Sequence, residues 1–507
     1  MNAAATPHDE PDPERNNHPG SPAPHAPAVT AHIRPRWALP ARLIDELTAA
    51  GKVRTVPAGA VFAREGDPPD QVFVILSGRV RGYVSDDEDR RLVMGELAVG
   101  EYCGEMLIDG LDRCITTAAV EPSRLVAVRR AVFMQIMSTD HELLLHVMRK
   151  LAMRLATATE LVRRLALADV RERVQHFLLE AATALGSPAT PVNISQQAIG
   201  DRVGATRSMV NRVLKRMTTE GDVANTPEGL VLKRMPVPIA LPPLALPSRS
   251  VGAADGGEGS EGAAGREGAG PAGPAERAER PGAPSSPTPL PPRHTRDTRL
   301  VLPTDLVEEV RARGRVKHYA PGEFVLLEGA PADTFVLLTR GRLNVTLSST
   351  NGRSFTLGDV RPGEYLGEMT VLDRGKRTAS ACAVEACEVV HLPRPAFMDL
   401  VEHRIDFAKH MAVRLSMRVR QLTNLAKQLA LLDVQSRTLA LLEYLGEQHG
   451  DGSRHIAHPP SQQEIGDRVG ASCSMINRVM RELADQGVIV QRSGGLVIRA
   501  GKRRRQA

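Results

Sequence analysis

The sequence is poor in aromatic side chains, which make up 3% of its 507 residues. Proteins that stack the bases of single-stranded nucleic acid on aromatic rings need more of them, so this class is excluded. The five cysteines form no C-x-x-C pair and no even framework, which predicts a reducing, cytoplasmic environment without disulfides. No apolar run reaches the roughly 18 residues of a membrane span, and the N-terminus has no apolar signal-peptide core. We therefore expect no membrane association.

Residue combinations typical of enzymes are also missing. We find no nucleophile–base set, no metal-ligand spacing and no phosphate-binding P-loop, and therefore expect neither an enzyme nor a metal site. The net charge of +6 permits nucleic acid as a partner without requiring it.

One stretch occurs twice and organises the chain. IGDRVGATRSMVNRV at Ile199–Val213 returns as IGDRVGASCSMINRV at Ile465–Val479. Each copy has the pattern of a helix, a turn at a glycine and a second helix with one apolar face. A short helix that shows arginines and small polar groups beside a buried stripe suits the DNA major groove. The repeat predicts two helix-turn-helix units that bind double-stranded DNA.

A second repeat lies upstream of each unit. Short β-rich runs with regular turn signals predict a β-sandwich or β-roll, and a long helix with alternating apolar steps of three and four follows. The two apolar seams match at a spacing of 264 residues. They comprise Leu144, Met148, Leu151, Leu155, Ala158, Val162 and Leu165 in the first copy, and Ala408, Ala412, Leu415, Val419, Leu422, Ala426 and Leu429 in the second.

The sequence therefore predicts an α+β fold, in which a β-roll, a long dimerisation helix and a winged helix-turn-helix occur twice in tandem. The two helices can pair within one chain, as an internal dimer, or between two chains. The predicted boundaries are a disordered tail (1–36), β-roll 1 (37–139), coiled-coil helix 1 (140–168), winged helix-turn-helix 1 (169–235), a disordered linker (236–298), β-roll 2 (299–403), coiled-coil helix 2 (404–432), winged helix-turn-helix 2 (433–500) and a basic tail (501–507).

One loop of each β-roll carries residues suited to a ligand. The second copy reads GEYLGEM from residue 363, with Gly367 and Glu368, followed by Arg377 and Thr378. Glycine lets backbone approach a ligand, glutamate accepts hydrogen bonds from a sugar hydroxyl, and arginine pairs with phosphate. The matching residues of the first copy are Gly104, Glu105 and Arg113.

Each half resembles the cAMP receptor protein/FNR (Crp/Fnr) family of bacterial transcription regulators, over residues 37–235 and 299–500. The resemblance rests on these loops, the I-L-x-G turn at Ile75–Gly78, the L-A-x-x-D-V hinges at Leu165–Val170 and Leu429–Val434, and the helix-turn-helix units. A further shared pattern comprises Pro57, Gly59 and Gly66, with Pro321, Gly322 and Gly329 in the second copy.

The resemblance implies a mechanism. The β-roll would bind cAMP or a related cyclic nucleotide, with Glu368 on the ribose 2′-hydroxyl and Arg377 and Thr378 at the cyclic phosphate. Binding would reorient the hinge so that two recognition helices enter successive major grooves. On the long helices, Thr159 and Thr423 would each supply a hydroxyl to the base. RNA polymerase is a further candidate partner.

The first site departs from the family pattern. Arg113 follows Glu105 after eight residues instead of nine, and Cys114 stands where the second copy has Thr378. We therefore expect this site to be altered or empty. The ligand is cAMP, another nucleotide or none; an iron–sulfur sensor is disfavoured because no N-terminal cysteine cluster exists, and a haem sensor is still an alternative.

The candidate DNA contacts follow from the same resemblance. They are Gln197, Arg207, Ser208 and Arg212 in the first unit, and Gln463, Ser474 and Arg478 in the second. Alternative functions are a ligand-independent DNA-organising protein and a cyclic-nucleotide-binding regulatory subunit of an enzyme. A helix-turn-helix after each β-roll argues against the second alternative.

Arg207 has no arginine counterpart, because Cys473 stands at the matching position. We expect an imperfect palindrome with half-sites about one helical turn apart, one more tightly specified than the other. Arg207→Ala should weaken one half-site by about tenfold, because one bidentate guanine contact is lost. Footprinting measures this directly, and equal loss of protection at both half-sites would contradict the asymmetry.

Overall fold

The computed structural model describes residues 37–235 and 301–499, apart from residues 332, 351, 451, 493 and 494. The predicted N-terminal tail, linker and basic C-terminal tail lie outside the described residues. The two described segments have the same element order, so the tandem repeat seen in the sequence is also a structural repeat.

The first half contains six helices, one 3₁₀ turn and ten strands among its described residues. They are α1 (Ala41–Ala50), β1 (Lys52–Val56), β2 (Val61–Ala63), β3 (Gln71–Ser77), β4 (Val80–Ser85), β5 (Arg91–Leu97), β6 (Tyr102–Cys103), the 3₁₀ turn (Glu105–Asp109), β7 (Thr116–Ala119), β8 (Ser123–Arg129), α2 (Arg130–Thr139), α3 (His141–Leu167), α4 (Val170–Ala184), α5 (Gln196–Val203), α6 (Arg207–Thr219), β9 (Val223–Thr226) and β10 (Gly229–Leu232).

The second half repeats this order and adds two short strands before its helix-turn-helix. Its elements are α7 (Thr304–Arg313), β11 (Arg315–Tyr319), β12 (Phe324–Leu326), β13 (Thr334–Arg340), β14 (Leu343–Ser348), β15 (Ser354–Val360), β16 (Tyr365–Leu366), α8 (Glu368–Asp373), β17 (Ser380–Ala383), β18 (Cys387–Pro393), α9 (Arg394–His403), α10 (Ile405–Leu431), α11 (Val434–Leu445), β19 (Glu447–Gln448), β20 (Arg454–Ile456), α12 (Gln462–Val469), α13 (Cys473–Asp485), β21 (Ile489–Arg492) and β22 (Gly495–Ile498).

Each β domain consists of two four-stranded antiparallel sheets. In the first half the strand orders are β1-β8-β3-β6 and β2-β7-β4-β5, and the second half has the equivalent orders β11-β18-β13-β16 and β12-β17-β14-β15. Central strand β3 reads QVFVILS and is buried on both faces, because the second sheet covers one side and helices cover the other. The flanking helices α1 and α2 were not predicted within the β-rich region; the apolar residues Phe133 and Met137 fix one face of α2 in the core.

The long helices α3 and α10 are 27 residues each and pack against one another. Asp140 caps α3 by accepting a hydrogen bond from the Leu143 amide. The predicted seam residues of both helices are buried, apart from Leu422, which is half-buried. Because each helix buries its apolar stripe against the other, the two halves share one core within this chain.

Two sets of polar contacts between the halves come in matched pairs. Arg163 of α3 forms an ion pair with Glu328 of the second β domain, and Lys427 of α10 lies 2.7 Å from Glu65 of the first. Arg90, between β4 and β5, donates to the carbonyl of Leu431 at the end of α10. Its counterpart Arg353 donates to the last carbonyls of α3. Because matching residues make the same contacts in both directions, the halves are related as in an isologous dimer.

A β-hairpin follows each helix-turn-helix unit, as the predicted wing. In the second half this hairpin, β21 and β22, forms a four-stranded sheet with β19 and β20. The first wing pairs β9 with β10 in antiparallel register, and Thr226 lies opposite Gly229. The turn glycines adopt left-handed backbone, with φ of 63° at Gly204 and 68° at Gly470. A Cβ atom on Gly204 would lie 2.7 Å from Leu165 and 2.9 Å from Ala430, so the turn packs tightly where the two long helices end.

The matched cross-half ion pairs differ in burial and should differ in strength. Arg163 and Glu328 are 8% and 3% exposed, whereas Lys427 and Glu65 are 30% and 29% exposed. Arg163→Ala should lower the free energy of unfolding by about 3 kcal/mol, because it leaves a buried carboxylate without its cation. Lys427→Ala, the matched control, should cost below about 1 kcal/mol. Urea titrations followed by circular dichroism would measure both, and equal costs would contradict the assignment.

Candidate functional site

The loop of the second β domain holds the guanidinium of Arg377 in place. Arg377 donates to the hydroxyl of Thr370 at 3.0 Å and to the carbonyl of Thr334. Gly367 has φ of 89°, and a Cβ atom there would lie 2.3 Å from Nη1 of Arg377. Glycine at this position is therefore required both by the backbone conformation and by the close approach of the arginine.

Glu368 of this loop is a buried carboxylate without hydrogen bonds. It is 1% exposed, and neither carboxylate oxygen has a hydrogen-bond partner among the described residues. The cation nearest to it is Arg418 of α10, whose Nη1 lies 3.9 Å from Oε1. Burial lowers the pKa of Arg418, and the positive charge of Arg414 lowers it further. A buried carboxylate without hydrogen bonds is costly, so the loop is suited to a ligand that supplies donors to Glu368.

A cavity of about 930 Å³ opens beside Glu368 and Arg377. Thr378 and Ser380 line it from the second β domain, and Leu155 and Thr159 line it from α3 of the first half. The cavity continues to the second helix-turn-helix unit, where Arg437, Tyr444 and Arg468 line it. A smaller cavity of about 260 Å³ also touches Arg377 and Thr378. The second site thus joins elements from both halves.

In the matching loop of the first half, the buried glutamate is paired with two cations. Glu105 is fully buried, accepts a hydrogen bond from Arg154, and lies 3.8 Å from the ammonium of Lys150. Burial acts to raise the pKa of Glu105, but the charges of Arg154 and Lys150 outweigh it, so the pKa is lowered. Two cations of the first half therefore neutralise this carboxylate, although its Oε2 has no hydrogen-bond partner among the described residues, whereas both oxygens of Glu368 lack one.

The two loops also differ in the contacts they receive from the long helix of the opposite half. Ser416 and Arg420 of α10 reach Asp109 in the first loop, at 2.8 Å and 3.1 Å. At the matching positions the second half has Leu372 in the loop and alanines at 152 and 156 of α3. The small alanines leave space where Arg420 fills it in the first half.

Arg113 of the first loop makes the same backbone contact as Arg377, whereas Cys114 stands in place of Thr378. Arg113 donates to the carbonyl of Gln71, the counterpart of Thr334, at 2.7 Å and lies 3.2 Å from Asp70. Cys114 is buried 4.0 Å from the sulfur of Met106, and burial raises the pKa of its thiol. The cysteine agrees with the expectation of an altered first site, which stays a prediction.

The two threonines of the long helices lie differently from the expectation. If each half formed its own site, Thr423 would belong to the second loop and Thr159 to the first. In the structure Thr159 lines the second cavity and donates to the carbonyl of Leu155, whereas Thr423 is buried and does not line it. The reason is that α3 packs over α8 of the opposite half. Sequence position could not reveal this crossing.

The predicted DNA contacts lie on the surface of the helix-turn-helix units. Exposed residues are Gln197, Arg207, Ser208 and Arg212 in the first unit, and Gln463, Ser474 and Arg478 in the second. Thr206 and Ser472 cap the recognition helices α6 and α13 through the amides of Met209 and Met475. Both recognition helices therefore present their predicted contacts to solvent, and the bases they would read are proposed below.

Several residues that shape the sites were missed by the sequence analysis. Arg202 of α5 lies 2.7 Å from Glu96 of β5, which docks the first helix-turn-helix on its β domain. Lys150, Arg154 and Arg420 were assigned no role. Arg154 and Arg418 occupy matching positions beside the helix seams. This repeated cation is the sequence feature that could have indicated a role next to the glutamates.

Comparisons with known proteins agree with this architecture. A family model for the cyclic nucleotide-binding domain matches residues 53–140 and 316–404, and one for the Crp-like helix-turn-helix domain matches 172–236 and 436–503. The CRP-like protein Clp of Xanthomonas euvesicatoria is 30% identical over 207 residues, covering 38% of this chain and 90% of that protein. The chain belongs to the Crp/Fnr family.

Other Crp/Fnr relatives also match between a third and two fifths of the chain. A CRP-like cAMP-activated global transcriptional regulator of Mycobacterium tuberculosis is 28% identical over 172 residues, covering 33% of this chain and 76% of that protein. A solved structure of the c-di-GMP-responsive regulator CLP of Xanthomonas campestris is 25% identical, with a TM-score of 0.35, covering 39% of this chain and 100% of that one. Because each of the two family models matches the chain twice, the chain is a duplicated Crp/Fnr regulator.

The helices of this Crp/Fnr chain within residues 37–235 and the described part of 301–499 lack the length and apolar character of a membrane span. No group of three or more His, Cys, Asp or Glu side chains there could hold a metal ion.

The matched arginines of the two loops should contribute unequally to stability. Arg154→Ala should lower the free energy of unfolding by about 3 kcal/mol, because fully buried Glu105 loses its hydrogen-bonding cation. Arg418→Ala should cost less than Arg154→Ala, because Arg418 makes no hydrogen bond to Glu368, from which it lies 3.9 Å away, and burial penalises its own charge. The two side chains are 23% and 25% exposed, so they form a matched pair. Chemical denaturation measures both, and a larger loss for Arg418→Ala would reverse the interpretation.

Proposed function

We propose that this chain is a sequence-specific DNA-binding transcription regulator, controlled by cAMP or a related cyclic nucleotide in its second half. The observation that carries the proposal is Glu368, a buried carboxylate without hydrogen bonds, next to Arg377 in a cavity of about 930 Å³. This combination offers acceptors for a sugar hydroxyl and a cation for a phosphate. The M. tuberculosis relative is described as cAMP-activated, which supports this ligand class.

The roles in the second site follow from the chemistry of its residues. Glu368 would accept hydrogen bonds from the ribose 2′-hydroxyl, and Arg377 with Thr378 would bind the cyclic phosphate. Gly367 would let the ligand approach the backbone. Thr159 of α3 would offer its hydroxyl to the base, in place of Thr423, because Thr159 lines the cavity. One ligand would then contact both halves of the chain.

The halves would act as an internal dimer of one polypeptide in the cytoplasm. The matched contacts of Arg163 and Lys427, and of Arg90 and Arg353, support this arrangement. In it α6 and α13 would enter successive major grooves of an operator, with Arg212 and Arg478 on guanines. Arg207, Ser208, Ser474, Gln197 and Gln463 would complete the interface, and RNA polymerase is a further candidate partner.

A second candidate function is ligand-independent DNA binding. The first loop favours it, because Arg154 and Lys150 already neutralise Glu105. A chain in which the second loop also needed no ligand would bind its operator constitutively. The alternative and the main proposal differ in whether a nucleotide changes DNA affinity.

Calorimetric titration of the purified chain with cAMP should give one site per chain. Arg377→Ala should remove the heat, because the phosphate loses its cation, whereas the matched Arg113→Ala should leave it unchanged. Two sites per chain would show that the first loop is a working sensor. No heat, together with operator affinity that cAMP leaves unchanged, would favour the ligand-independent function.

A further inference from the structure

The two recognition helices carry different charge on their exposed faces. The apolar residues Val210, Leu214 and Met217 bury one side of α6, and Ile476, Val479 and Leu483 bury the same side of α13. The opposite side of α6 exposes four cations and no acid: Arg207, Arg212, Lys215 and Arg216. That of α13 exposes two cations and two acids: Arg478, Arg481, Glu482 and Asp485.

One acid of α13 lies within ion-pair distance of one of its arginines. Nε of Arg478, the proposed base contact, lies 3.7 Å from Oε1 of Glu482, one turn further along the helix. The matching position to Glu482 in α6 is Arg216. No acidic side chain of the described residues lies within ion-pair distance of Arg212, which matches Arg478. Arg216 itself pairs with Glu220, beyond the end of α6, so this one cation is partly neutralised.

The helix before each recognition helix adds to the difference in charge between the two units. Glu464 stands in the first turn of α12, where α5 has Ala198, and it closes a capping box with Ser461. The second unit thus places a further carboxylate at the start of its helix-turn-helix. Carboxylates near the phosphate backbone oppose binding, whereas each cation that meets a phosphate releases counterions and adds affinity that does not depend on sequence.

We infer that the first helix-turn-helix anchors the chain on DNA electrostatically, whereas the second binds its half-site with little phosphate affinity of its own. The inference rests on the DNA-binding function proposed above. It predicts that affinity for DNA without an operator comes from α6 and its neighbours. The second unit then reads its half-site only while the first holds the chain on the duplex.

Lys215 and Arg481 provide a matched test, because they occupy equivalent exposed positions. Lys215→Glu and Arg481→Glu change the charge equally. In the full-length protein without nucleotide, Lys215→Glu should weaken binding to a random-sequence duplex by about tenfold and reduce the salt slope by about one. Arg481→Glu should weaken it below about twofold. Fluorescence anisotropy at several salt concentrations, with unchanged thermal unfolding of both variants, measures these effects.

A gain-of-charge variant gives an independent readout. Glu482→Arg copies Arg216 into α13, frees Arg478, and should strengthen binding to the same duplex by about tenfold with a steeper salt slope. Equal losses in Lys215→Glu and Arg481→Glu, or no gain in Glu482→Arg, would overturn the inference while leaving DNA binding intact. A parent protein that binds no duplex at all would overturn the proposed function as well.

Discussion

The packing of α3 against α10 is the contact on which the rest of the structure depends. Each helix carries an apolar stripe that is buried only when both are together, and the stripes fill one shared core. The pairing lays α3 over α8 and α10 over the 3₁₀ turn of the opposite half. It also brings the helix ends together, where the turn glycines Gly204 and Gly470 pack. Loops and DNA-binding units are therefore positioned by one interface.

The two β domains have the same fold, but they accommodate the buried glutamate of the ligand-site loop in different ways. In the first loop, Arg154 and Lys150 neutralise Glu105, and α10 fills the neighbouring space with Ser416 and Arg420. In the second loop, Glu368 is left without hydrogen bonds beside an open cavity. A buried charge has to be paired, by the protein or by a ligand. The two copies therefore differ: in the first loop the protein's own cations neutralise the buried carboxylate, and the second loop is suited to a ligand.

The position of the second cavity connects it directly to one DNA-binding unit. Arg437 of α11 and Arg468 of α12 line the same space as Glu368 and Arg377. A ligand in this space would meet the second unit without passing through the long helices. Together with the weaker charge of α13, this suggests that regulation and anchoring are divided between the halves, a division that a symmetric dimer of identical chains does not allow.

The sequence by itself determined the tandem architecture, the long helices within one residue at each end, and the helix-turn-helix units. Seam spacing, turn glycines and repeated motifs are local patterns, and they report on local structure. It also singled out Gly367, Glu368 and Arg377 as a candidate site, which stays a prediction. Only the tertiary structure decided that Thr159 lines the cavity beside the opposite loop and that Arg154 neutralises Glu105. Those contacts join residues distant along the chain, and their geometry depends on how α3 and α10 cross the β domains.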